Sequence, residues 1–189
     1  ISLTDAYHAH TGLALAAGDE KAAKAFLSDD PETVIRVPFD DTEALASALA
    51  AHDVAAVIVE TIPATAGFPV PSPDYLPEVR RLCDVHGAAY IADEVQTGLG
   101  RTGSLWGTQH FGVVPDILVT GKGLSGGIYP IAATLLSESM GSWLQEDGWG
   151  HISTFGGAEL GCCVADKVLD ITMDPATVSR TAQVAQRWS

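Results

Sequence analysis

Lys122 sits in Ile117-Leu-Val-Thr-Gly-Lys-Gly-Leu-Ser125, just past an apolar run and between two glycines. The chain has only four lysines, and the other three are Lys21, Lys24 and Lys167. An isolated amine in apolar surroundings is disfavoured as the ammonium, so its pKa falls toward the range where it attacks a carbonyl. Upstream, Tyr90-Ile-Ala-Asp-Glu-Val-Gln96 ends a second apolar run on a carboxylate, Asp93. A buried amine and a buried carboxylate at the ends of two strands are the pairing that pyridoxal phosphate requires. The lysine forms the Schiff base, and the aspartate keeps the pyridine nitrogen protonated.

Each residue taken singly has a plainer reading. A lysine between glycines is usually a solvated loop residue, and Asp-Glu after a strand is usually a loop start or a helix cap. A phosphate-loop reading of Gly121-Lys122 fails on spacing, because Asp116 stands where the first glycine belongs and Gly123 where Ser or Thr belongs. Joined in one chain, the two segments say more than either alone.

The elements that must carry them follow from composition and pattern. At 189 residues and 47% hydrophobic content, the chain is long enough for one domain with a sizeable core. Acidic residues outnumber basic ones 24 to 10, a net charge of −14 that repels nucleic acid and anionic membrane surfaces. No run approaches the ~20 apolar residues of a membrane helix, and Ile1-Ser-Leu-Thr-Asp5 lacks the basic start of a signal peptide. Cys83, Cys162 and Cys163 form no disulfide framework and read as small core residues in a reducing, cytoplasmic compartment. The six histidines are scattered without metal-ligand spacing.

Short apolar runs alternate with helical patterns. Strands are expected at 34–37, 54–59, 88–92, 117–119 and 131–135, and helices at 41–51, 74–86, about 157–171 and from about 175. That alternation predicts an α/β fold, a three-layer sandwich around a mostly parallel sheet. Ligands of such sheets bind beyond the carboxyl ends of the strands, where Glu60, Asp93 and Lys122 all fall.

The ordered pattern Ile91-Ala-Asp-Glu-Val-Gln-Thr-Gly-Leu-Gly-Arg-Thr-Gly103, then Trp106, His110-Phe-Gly, Pro115-Asp-Ile-Leu and Gly121-Lys-Gly-Leu, resembles the class III aminotransferases of the fold-type I pyridoxal-phosphate enzymes. Weaker correspondence runs from Tyr7-His8 to Thr154-Phe-Gly-Gly157. The resemblance implies that Lys122 carries the cofactor and then moves the proton between substrate and cofactor carbons. It implies that Asp93 pairs with the pyridine nitrogen and that Gln96 bonds the phenolic oxygen. Val95 and Tyr7 would cover the two ring faces, Glu60 would lie on the substrate side, and Thr154 would reach the phosphate held by a neighbouring subunit of a homodimer or higher oligomer. Arg101 reads as structural, paired within its own loop.

The implied reaction moves an amino group from an amino acid or amine donor to a 2-oxo acid by a ping-pong route. Decarboxylase, racemase and aminomutase chemistry share the same lysine-aspartate core, and a non-catalytic α/β fragment is the remaining alternative. Family members usually have Gly after Tyr-His, Pro after the strand-end Glu and a second Glu five positions on; here stand Ala9, Thr61 and Thr65. The last departure puts a GABA or ornithine assignment in doubt. Residues 1–189 read as part of the cofactor-binding large domain, without the upstream phosphate-binding turn and the C-terminal small domain.

Overall fold

A computed structural model of the chain describes residues 1–18 and 33–187. In chain order the elements are β1 (Ser2–Leu3), α1 (Gly12–Ala17), β2 (Arg36–Val37), α2 (Thr42–Ala51), β3 (Ala56–Glu60), α3 (Tyr75–His86) and β4 (Ala89–Asp93). They continue with β5 (Ile117–Thr120), β6 (Ala133–Leu136), the short α4 (Glu138–Gly141) and α5 (Trp143–Glu146), α6 (Glu159–Met173) and α7 (Pro175–Gln186). Two 3-10 turns, Gly107–Phe111 and Lys122–Ser125, follow β4 and β5.

Strands β3, β4 and β5 run parallel, and β6 closes this edge antiparallel to β5. A separate parallel pair joins β1 to β2. The sheet is therefore mostly parallel, as expected. Alternate residues of its strands reach full burial: Val57, Val59, Tyr90 and Ala92 pack under α2 and α3 through Leu45, Leu49, Leu76, Val79 and Leu82. The opposite face carries Ile58, Ile91, Ile117 and Val119. These line a groove of about 700 Å³ beside Leu13, Ala14 and Ala17 of α1. Among the described residues, then, the sandwich is complete on one face, and only α1 approaches the other.

Local signals set the elements. Asp41 caps α2 by accepting from Ala44 N at 2.8 Å. Gly87 ends α3 in the left-handed region, with φ 69°, where a side chain would be strained. Arg80 of α3 reaches Asp116 at 2.7 Å, and the same carboxylate oxygen accepts from Tyr90 N at 2.7 Å. This triad pins helix α3 to the start of β4 and the approach to β5.

Several expectations change. The strand expected at 34–37 shrinks to Arg36–Val37, because its only described sheet partner is the two-residue β1. The strand expected at 131–135 begins instead at Ala133 and pairs antiparallel. Cys83 is buried as expected, but Cys162 and Cys163 are exposed. Their helix, α6, buries only Gly161, since among the described residues it rests on loops and on α7 rather than on the sheet. None of the described helices is long and apolar enough to cross a membrane.

Candidate active site at the carboxyl ends of the strands

Parallel pairing brings the strand ends to one line. Glu60 stands opposite Asp93 across β3 and β4, and Asp93 opposite Val119 across β4 and β5. Lys122 follows three positions after Val119, on the turn that leaves β5. Three predicted residues far apart in sequence thus share one edge of the sheet.

Asp93 is 8% exposed. Its Oδ1 accepts from Val95 N at 3.1 Å, and its Oδ2 lies 2.8 Å from Nδ1 of His8. Facing a carboxylate, Nδ1 is the ring nitrogen that donates. The Nε2 of His8 is buried with no hydrogen-bond partner among the described residues. Sequence reasoning quoted Tyr7-His8 only as part of the resemblance and gave His8 no role; its position next to a candidate stacking residue was the available signal.

Glu60 is buried and accepts from two backbone amides, Tyr7 N at 2.9 Å and Ala64 N at 3.2 Å. These bonds fasten the Tyr7 segment onto the end of β3, directly beside Asp93. The Tyr7 ring stays 41% exposed and meets His10 edge-on, with centroids 5.2 Å apart. Thr65 is exposed, and its hydroxyl donates to the Asp5 carbonyl.

Lys122 departs from expectation. It is exposed rather than enclosed, because the apolar run ends at Thr120 and the lysine belongs to the turn beyond the sheet. Its backbone is left-handed, with φ 41°, a conformation costing roughly 1–2 kcal/mol for a residue with a Cβ. The turn is braced by Leu124 N donating to Gly121 O at 2.9 Å and by Ser125 Oγ donating to Lys122 O at 2.8 Å. Helix α6 supports it from behind: a Cβ on Gly126 would come within 3.0 Å of Val168 Cγ2. Val95 flanks the same place, its methyls 3.8 and 3.9 Å from where a Gly121 Cβ would stand.

Val95 and Gln96 are half-buried in the turn after Asp93. Thr154 is exposed in the 147–158 loop, and no described contact joins it to this cluster. Nor does Arg101 pair within its loop: its side chain is exposed and makes no ion pair among the described residues, and only its backbone N–H bonds Gly98 O at 3.5 Å.

Comparison with known proteins gives one consistent result. The family model described as aminotransferase class-III matches residues 1–189. An uncharacterized aminotransferase of Archaeoglobus fulgidus is 57% identical over 166 residues, covering 88% of this chain and 39% of that protein. The acetylornithine/succinyldiaminopimelate aminotransferase of Yersinia pestis is 36% identical over 183 residues, covering 97% of this chain and 44% of that one. Among solved structures, the ornithine aminotransferase of Toxoplasma gondii superposes with a TM-score of 0.85 at 34% identity, covering 98% of this chain and 44% of its own. The chain therefore spans 39% and 44% of the lengths of the two curated relatives.

Proposed function

We propose that this chain, which belongs to the class III aminotransferases, forms the lysine-and-aspartate half of a pyridoxal-phosphate site in a transaminase. The whole protein would move an amino group from an amino acid or amine to a 2-oxo acid in two half-reactions. It would work in the cytoplasm as a homodimer or higher oligomer. The observation that carries the reading is Asp93, a buried carboxylate held at a strand end by His8 and Val95, beside the strand that leads to Lys122.

The residues present fit the cofactor. Asp93 keeps lone pairs beyond its two recorded bonds and can accept from a pyridinium N–H. Tyr7 offers an exposed ring and Val95 an aliphatic surface, the two kinds of face that hold a flat aromatic group without competing for its hydrogen bonds. When bound, pyridoxal phosphate supplies an electron sink for the pair left behind as the substrate carbon loses its proton. Every other duty falls to the protein.

The Asp93 charge holds a proton on the ring nitrogen, and His8 and the Val95 amide keep that carboxylate aimed. Lys122 Nζ would anchor the cofactor and, once released, would carry the proton from the substrate carbon to the cofactor carbon. Gln96 would donate to the phenolic oxygen of the bound cofactor. Glu60 would lie on the substrate side, and by accepting from Tyr7 N it holds the segment that carries the Tyr7 ring. Thr154, exposed and away from the cluster, suits a bond to the phosphate bound by a second copy. The exposed Trp149, Ile152 and Phe155 around it suit burial between two subunits. Thr65, tied to the Asp5 carbonyl, offers no carboxylate where the family commonly has Glu, so the donor is assigned only as an amino acid or amine.

The test is amino transfer by the whole protein from a panel of amino acids and amines to a 2-oxo acid. Turnover is expected, and Asp93→Asn should slow it by several orders of magnitude, on the order of a few kcal/mol. A protein that binds the cofactor but transfers no amino group would favour decarboxylase, racemase or aminomutase chemistry. One that binds no cofactor would overturn the reading.

A further inference from the structure

Glu94 lies between Asp93 and Val95, is 1% exposed, and has no part in the chemistry above. Successive side chains of a strand point to opposite faces, so Glu94 turns away from the site that Asp93 enters. Its Oε1 accepts from Thr61 Oγ1 at 2.9 Å and from Thr108 N at 2.8 Å. Its Oε2 accepts from Thr97 Oγ1 at 2.6 Å and from Gly107 N at 2.9 Å. All four partners donate, and the four bonds fill the lone pairs of a carboxylate. Each oxygen thus meets one backbone N–H, a group that can only donate. No basic side chain among the described residues pairs with it. Among the described residues, this buried carboxyl group is held by its four hydrogen-bond partners.

The donors come from three places. Thr61 follows Glu60 at the end of β3, Thr97 belongs to the turn that carries Val95 and Gln96, and Gly107 and Thr108 open the 3-10 turn beyond it. The backbone is wrapped closely round the carboxylate. A Cβ on Gly107 would stand 3.2 Å from Oε2 and 3.1 Å from Thr61 Cγ2, and one on Gly98 would lie 2.8 Å from the Trp106 ring. The main chain adds Glu94 N to Val119 O at 2.8 Å and Gly98 N to Glu94 O at 2.9 Å.

We infer that Glu94 is a positioning residue: from behind the sheet it locks the 93–97 turn, and through it the placement of Asp93, Val95 and Gln96 on the cofactor. The inference rests on the transaminase reading. A glutamine cannot replace this carboxylate, because its NH₂ would face a hydroxyl and a backbone N–H, and the N–H cannot reverse.

The experiment compares the whole enzyme with Glu94→Gln, with Thr97→Val, which removes one donor, and with Glu78→Gln on the outer face of α3 as a control. Cofactor affinity, and kcat and KM at saturating cofactor, are read on folded protein. Glu94→Gln should lower kcat about a hundredfold, the penalty of a misplacement near 1 Å, and weaken cofactor retention, while KM for the amino donor moves little. Thr97→Val should lower kcat about fivefold, the loss of a single hydrogen bond, and it decides the matter if Glu94→Gln does not fold. Glu78→Gln should match the wild type. Variants with a lowered Tm but wild-type kcat and cofactor affinity would overturn the inference and leave the transaminase reading intact. A wild-type protein that retains no cofactor would overturn both.

Discussion

His8 Nδ1 lies 2.8 Å from Asp93 Oδ2, a buried contact between a loop near the start of the chain and the end of β4. It turns two distant sequence signals, Tyr7-His8 and Ala92-Asp93, into one unit, because the bond that aims the carboxylate comes from the residue next to the candidate stacking tyrosine. Among the described residues, His8→Ala leaves Asp93 with only the Val95 amide. A hydrogen bond to a charged group is worth about 1.5–3 kcal/mol, so kcat should fall by roughly one to two orders of magnitude. The check is steady-state kinetics at saturating cofactor. Unchanged kcat in folded His8→Ala would show that Asp93 needs no such support.

Glu60 accepts from Tyr7 N and Ala64 N. In Glu60→Gln the amide group must face one of those two N–H donors, leaving a buried N–H unpaired at a cost of about 1–3 kcal/mol. The Tyr7 segment should loosen, and cofactor affinity should drop while the sheet stays folded. Equilibrium cofactor titration with circular dichroism on the same sample separates the two effects. Affinity equal to the wild type would mean that Tyr7 does not depend on this anchor.

Cys83 is fully buried, and burial pushes its thiol from about 9 up to about 11. Its raised folded-state pKa favours the folded protein fully below pH 9, and that contribution is lost as pH rises through about 11. Alkylation of the whole protein at pH 8, mapped by peptide mass, should leave Cys83 unlabelled until denaturant is added. Labelling of Cys83 in native protein at the rate of a free thiol would contradict its place on the buried face of α3.

Much of the frame was legible in the sequence because it rests on local rules. Continuous apolar runs at 54–59 and 88–92 read as strands of a mostly parallel sheet, found at Ala56–Glu60 and Ala89–Asp93, and Asp41 marked the start of the helix expected at 41–51. The alignment of Glu60, Asp93 and Lys122 followed from strand polarity alone. What local reading could not reach was contact at long range. Nothing near His8 names Asp93 as its partner, and nothing near Glu94 reveals that Thr61, Gly107 and Thr108 converge on it. The exposure of Cys162 and Cys163 was missed for a related reason, since a small-residue helix reads alike whether it packs on a sheet or lies on loops.

Covalent trapping shows which lysine holds the cofactor, and Lys122 is the expected one. The whole protein is incubated with pyridoxal phosphate, reduced with borohydride, digested and mapped by mass. One modified site is expected, Lys122, with the visible absorbance of bound cofactor lost on reduction, and neither signal in Lys122→Ala. Modification of another lysine, or a Lys122→Ala variant that keeps the absorbance and transfers amino groups at the wild-type rate, would contradict it.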